Sequence, residues 1–141
     1  NQEHEGYITL KENENDKKIG LYLIKLYDYE TPIKVNLTFK DSEGGPSGGF
    51  MTALSIYSKL TEDLTKNRKI VGTGTIDSNG NVGRIGGVKY KLKGAVSNKA
   101  QIFFVPIDNY QEAIKEKEEK GYQIEVVKVK TLRDAIDYLK R

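Results

Sequence analysis

The chain has no cysteine. That excludes disulfide staples, thiolate metal sites and a cysteine nucleophile. It has one histidine, His4, set in a polar N-terminal segment. A histidine metal cluster and a Ser-His-Asp triad are therefore excluded almost by counting, so any nucleophilic chemistry needs another base. No apolar run approaches about 18 residues, and no N-terminal apolar stretch reads as a signal peptide. The chain opens on Asn1, as a processed or cut chain would. Neither sign of charge dominates: 23 Lys and Arg stand against 20 Asp and Glu, a net charge of +3. In "EAIKEKEEKGY" the lysines and glutamates are interspersed, which describes a solvated helix face. With no basic cluster interleaved with aromatics, no nucleic-acid partner is expected.

What is present fits one globular domain. The 141 residues are 37% hydrophobic and 30% charged, enough to bury a core without staples. Residues 1–6 read as a frayed tail. "GYITL" and "KIGLYLIKLYDY" flank a polar stretch like the two strands of a hairpin. From Ile33 to Phe39, apolar and polar residues alternate as in a half-buried strand. A glycine-rich loop follows, then Phe50, Ala53, Leu54 and Tyr57 at helical spacing, which predicts a helix from about Ser47 to Leu60. "LTEDLTKNRK" reads as a polar connection. "IVGTGTID" reads as a strand, "DSNG" as a turn and "NVGRIG" as a second strand. Val88, Leu92 and Ala95 form the inner face of a helix of roughly ten residues. "QIFFVPI" is a buried strand by its unbroken apolar run. Asn109 and Glu112 have capping-box spacing for a helix that Gly121 closes. "QIEVVKV" is a further strand. Thr131 caps a last helix with Leu132, Ala135, Ile136 and Leu139 inside. The expected fold class is α/β (α+β), a mixed sheet with helices packed on it.

The loop "GGPSGG", Gly44 to Gly49, holds one serine among five Gly and Pro residues. A strand-to-helix turn with Ser47 as an N-cap would account for it on composition alone. Yet such a loop also lets backbone approach a ligand and turns N–H groups toward it. Phosphate binding of the P-loop kind fails, because no Lys-Ser or Lys-Thr follows. The dinucleotide fingerprint fails on spacing. A phosphate-binding loop like that of galactokinase-type small-molecule kinases is a weak alternative, since those chains are about twice this length. As a nucleophile, Ser47 would sit at a helix N-terminus whose N–H groups stabilise an oxyanion. With histidine unavailable, lysine is the next base, and lysine is protonated at neutral pH unless burial lowers its pKa. In "GGVKYKLKGAV", Lys91 lies beside the apolar face, three after Val88 and four before Ala95. Lys89 flanks that face on its other side, so periodicity favours Lys91 only mildly.

"GGPSGG" with its helix, followed by "GTGTID…GNVGRIGGVKYKL", resembles the proteolytic domain of the Lon family, over about Asp41 to Pro106. The resemblance implies a Ser-Lys peptidase. Its serine, in a Gly-Pro-Ser-small-Gly loop, corresponds to Ser47. Its lysine, the second in Gly-Gly-hydrophobic-Lys-x-Lys, corresponds to Lys91, and Thr73 would orient that lysine. Gly45, Pro46 and Gly48 frame the serine and its oxyanion site. No cofactor and no metal are implied. The expected partner is an unfolded protein or peptide, and by analogy further copies of the chain in a ring. Gly44 stands where ATP-dependent Lon proteins usually carry an acid, and Thr73-Gly74-Thr75 replaces Thr-Gly-Glu. Both departures look more like the Lon-like proteases of Gram-positive bacteria. The likeness implies an ATP-independent enzyme on the outer face of the plasma membrane, with an anchor and a PDZ domain outside this chain. A non-catalytic peptide-binding scaffold of the same fold is the alternative.

Overall fold

The computed structural model describes residues 45–141. The expected N-terminal tail, the hairpin and the strand from Ile33 to Phe39 lie outside the described residues. So does Gly44.

The described chain opens with a 3-10 turn at Pro46–Gly48, which runs into helix α1, Gly49–Leu60. Strands β1 (Ile70–Gly72), β2 (Thr75–Ile76) and β3 (Val82–Gly83) follow, then α2 (Val88–Ser97) and β4 (Ile102–Pro106). A 3-10 turn at Ile107–Asn109 leads into α3 (Tyr110–Lys120), before β5 (Glu125–Val129) and α4 (Leu132–Lys140). The fold is α/β, as its strand and helix order requires. Strand directions divide between two sheets among the described residues. One is parallel, in the order β1-β4-β5, and the other is the antiparallel pair β2-β3.

β4 is the middle strand, and all five of its residues are buried. The two-residue period of a strand sends its side chains to opposite faces. Ile102 and Phe104 join a core with Phe50 and Leu54 of α1 and Ala135, Ile136 and Leu139 of α4. Phe103 and Val105 join a second core with Val88, Leu92 and Ala95 of α2 and Ala113 of α3. A parallel strand covered on both faces thus reads as a continuous apolar run. Burying each phenylalanine stabilises the fold by about 1.5–3 kcal/mol relative to exposure. Phe104 also meets Phe50 and Tyr138 edge-to-face, with centroids 6.2 and 5.6 Å away. The polar connection after α1 carries one anchor that its composition hides: Leu64 is buried in the first core.

Three expectations need correction. "IVGTGTID" is two strands, not one. The chain breaks at Thr73-Gly74 because the residues on either side belong to different sheets. At Gly74 a Cβ would come within 2.5 Å of Val82 Cγ1, so only glycine passes there without displacing its neighbour. In "NVGRIG" only Val82 and Gly83 form a strand, while Asn81 makes an isolated antiparallel bridge to Thr131. Beyond them, the Ile85 N–H donates to Asn109 Oδ1 at 2.9 Å and the Ile85 carbonyl accepts from Asn109 Nδ2 at 3.0 Å. Those bonds also explain the third correction: the buried Asn109 side chain makes no cap for α3. Gly121 does end α3 in the left-handed region, at φ 63°.

The capping of α4 is as expected and more complete. Thr131 Oγ1 accepts from the Asp134 N–H, and the Asp134 carboxylate accepts in return from the N–H groups of Thr131 and Lys130. Partial burial pushes the Asp134 carboxyl up, but these hydrogen bonds outweigh it and hold the group below its ordinary range.

Candidate active site

The site lies where the start of α1, the break after β1 and the first turns of α2 meet. Each side chain in it is placed by backbone constraints local to its own segment.

Ser47 sits in the 3-10 turn between Pro46 and Gly48. Proline at the first position of the turn suits its fixed φ and missing N–H. Gly45 precedes it at φ 131°, a conformation that other residues rarely adopt. The Ser47 carbonyl is held from the far side by two donors, the Gly74 N–H at 2.9 Å and Thr73 Oγ1 at 3.1 Å. The Phe50 N–H in turn donates to the Gly74 carbonyl at 3.1 Å. The glycine loop is therefore stitched to the break in the β1-β2 segment. Its side chain does not cap α1; no side-chain cap bond exists at that helix start.

Lys91 is set by α2. Gly87, left-handed at φ 70°, precedes the helix, and its carbonyl accepts from the N–H groups of Tyr90 and Lys91. Val88, Leu92 and Ala95 bury one face against β4. That burial fixes the roll of the helix and leaves Lys91, between two buried positions, at the edge of the core. Its Nζ lies 3.1 Å from Ser47 Oγ, across 44 residues of sequence. The other lysines of this helix go elsewhere. Lys89 approaches Glu116 of α3 at 3.9 Å, and Lys93 is exposed.

The structure thus brings Ser47 and Lys91 into direct contact. Gly45, Gly48 and Thr73 line the same cleft, and Pro46 lies between two of its lining residues without lining it. Thr73 is buried, but its hydroxyl serves the Ser47 backbone, where the sequence suggested the lysine amine. The cleft measures about 450 Å³, and its other walls are Lys69, Val71 and Gly72 of the β1 segment, Gly94 and Ala95 of α2 with its C-cap Asn98, and Phe103 of β4. Sequence reasoning passed over these wall residues. A signal existed for two of them: Gly94 and Ala95 follow Lys91 at helical spacing, and a glycine inside a helix invites explanation. The described cleft walls include two lysines and no carboxylate.

Chemically, a serine hydroxyl beside a lysine amine, in a turn that opens a helix, is a nucleophile with a base in reach. In a 3-10 turn the N–H groups of the first residues have no acceptor within the turn. Ser47 and Gly48 occupy those positions.

Comparison with known proteins gives the family. The profile of one family, described as the Lon protease (S16) C-terminal proteolytic domain, matches residues 37–140. Lon protease 2 of Bacillus subtilis is 32% identical over 114 residues, which are 81% of this chain and 19% of that protein. The Lon protease of Campylobacter jejuni is 30% identical over 124 residues, 87% of this chain and 15% of that protein. The peroxisomal Lon protease homolog 2 of Caenorhabditis elegans is 30% identical over 122 residues, 86% of this chain and 15% of that protein. The chain spans no more than 19% of the length of these curated relatives.

Proposed function

The chain belongs to the Lon protease C-terminal proteolytic domain family, and from that premise we propose that it is a serine peptidase working through a Ser47-Lys91 dyad. The observation that carries the reading is the 3.1 Å contact between Lys91 Nζ and Ser47 Oγ.

In the proposed reaction, the neutral Lys91 amine takes the hydroxyl proton as Ser47 Oγ attacks the peptide carbonyl. The N–H groups at the turn, those of Ser47 and Gly48, receive the negative charge that develops on the carbonyl oxygen. The intermediate collapses as Lys91 passes its proton to the leaving amine. Water then enters and gives a proton to Lys91 as its oxygen bonds the acyl carbon, and Lys91 returns that proton to Ser47 Oγ as the acyl–oxygen bond breaks and the acid leaves. Thr73 and Gly74 act by positioning, since their two bonds to the Ser47 carbonyl hold the serine toward the lysine.

The substrate is an unfolded protein or peptide, and the enzyme needs no nucleotide. Gly44 and Thr75, where ATP-dependent Lon proteins usually carry acids, support that last point and the kinship with anchored, PDZ-bearing enzymes on the outer face of the plasma membrane. No helix among the described residues is long and apolar enough to cross a membrane.

Cleavage of an unfolded protein, followed from neutral to alkaline pH with and without ATP and Mg²⁺, tests the reading. Cleavage should rise with pH, because only the neutral amine accepts a proton, and nucleotide should leave the rate unchanged. A profile flat from acid to base would remove lysine from the mechanism. Cleavage that is lost with Lys89→Ala and kept with Lys91→Ala would move the base to the other side of α2.

A further inference from the structure

Gly94 is an expensive residue where it stands. Glycine inside a helix destabilises it by roughly 0.5–1 kcal/mol relative to alanine. It occupies the seventh position of the ten-residue α2. Nothing in the packing explains it, because a Cβ built on Gly94 meets no atom within 4 Å. By contrast, at Gly72 a Cβ would come within 2.6 Å of Met51 Sδ and 2.9 Å of Phe104 Cβ, and there the fold itself requires glycine. The space at Gly94 belongs to the cleft that holds Ser47 and Lys91.

Three elements shape that space. On α2 and its C-cap, Lys91, Gly94, Ala95 and Asn98 stand at i, i+3, i+4 and i+7, one side of the helix. Moving along the face from the dyad, the wall changes from amine to bare backbone and methyl, then to the Asn98 amide. The β1 segment also lines the cleft: the Thr73 hydroxyl donates to the Ser47 carbonyl, and Gly72, Val71 and Lys69 precede it along the chain, Lys69 being the farthest from Thr73 in sequence. Phe103 of β4 also lines the cleft. Besides the reacting groups and the Lys69 and Asn98 side chains, the lining is apolar or bare backbone: Val71, Gly72, Gly94, Ala95 and Phe103.

We propose that Gly94 is the residue that sets specificity in the reaction above: it opens a subsite for the substrate side chain beside the scissile bond. The proposal rests on the peptidase reading. The subsite takes an extended side chain with an apolar stem, such as leucine, methionine or glutamate. A short side chain leaves the cleft unfilled. A lysine or arginine stem fits, but its charge ends beside Lys69 and is disfavoured.

The test uses one peptide sequence in versions carrying Ala, Leu, Glu or Lys beside the cleaved bond, with products identified by mass spectrometry. Wild type is compared with Gly94→Leu, Lys69→Glu and Ser47→Ala. A Cβ at position 94 meets no atom within 4 Å, and leucine favours the helix, so the variant is expected to fold. It should lower the ratio of cleavage beside Leu to cleavage beside Ala by about tenfold or more. Lys69→Glu should reverse the order of Glu and Lys. If Gly94→Leu is folded by circular dichroism and both ratios stay as in wild type, the subsite is overturned while the peptidase reading stands. If cleavage is absent from wild type or survives Ser47→Ala, the peptidase reading itself falls and the proposal falls with it.

Discussion

Among the described residues, Thr131 caps α4 and Ser47 stands in the turn that runs into α1, and the two hydroxyls do different work. At α4, Thr131 Oγ1 accepts from the Asp134 N–H while Asp134 reaches back to the N–H groups of Thr131 and Lys130. The helix start is closed by its own side chains. At α1, no side chain caps the helix, and Ser47 Oγ meets Lys91 Nζ from another element. The glycines around it leave the turn bare: Gly45 and Gly48 are exposed, with open space where a Cβ would be. The difference teaches that an N-terminal serine is known by what it leaves undone. A closed cap serves the fold, whereas an open one leaves N–H groups and a hydroxyl for chemistry.

The sharpest way to break the comparison is to remove Lys91. Lys91→Ala should lower cleavage by about a thousandfold or more, since residues of one catalytic unit fail together. A double Ser47→Ala, Lys91→Ala variant should be hardly worse than either single change. A progress curve with an unfolded protein substrate reads both, and additive losses would mean that the two residues do not act as a unit.

The next effect concerns the fold beneath α2. Asn109→Ala leaves the buried N–H and carbonyl of Ile85 without partners and should destabilise the protein by about 2–4 kcal/mol in a urea melt. Thr131→Ala opens the α4 cap and should cost about 1 kcal/mol, with cleavage unaltered at temperatures well below the melt. Lys89→Ala is the smallest of the set. Its partner contact is long, at 3.9 Å, and its side chain is half exposed, so a change within about 1 kcal/mol is expected.

Acid should act on the α4 cap in a defined direction. Asp134 has a lowered pKa in the folded chain, so its contribution is present above the unfolded value, about 3.9. It is lost as pH falls through the folded value. The melting temperatures of wild type and Asp134→Asn should differ at pH 6 and converge as pH falls below the folded value. A gap that persists in strong acid would deny the carboxylate its part in the cap.

Much of this was legible in the sequence because one signal decided each case. The β4 run "IFFVP" reads as a strand buried on both faces, and it is. Val88, Leu92 and Ala95 mark the inner face of α2, and from that face the neighbouring Lys91 follows. Periodicity alone could not choose Lys91 over Lys89; in the fold it is Lys91 whose Nζ lies 3.1 Å from Ser47 Oγ. Other features depend on partners far along the chain. Asn109 has the spacing of a cap, but Ile85, 24 residues earlier, takes its amide. "IVGTGTID" has the composition of one strand, and only the pairing of Gly72 with Phe104 and of Thr75 with Gly83 divides it. Leu64 and the cleft walls Lys69, Val71 and Asn98 carry no local mark, since their roles come from what packs opposite.

The measurement that tests the central claim most directly is Ser47→Ala with activity and melting temperature recorded on the same preparation. The account predicts that cleavage of an unfolded protein is lost while the melting temperature stays within about a degree of wild type, because no cap is removed. A melting temperature lowered by the amount a lost cap costs, with cleavage intact, would contradict it and return Ser47 to the role that Thr131 plays.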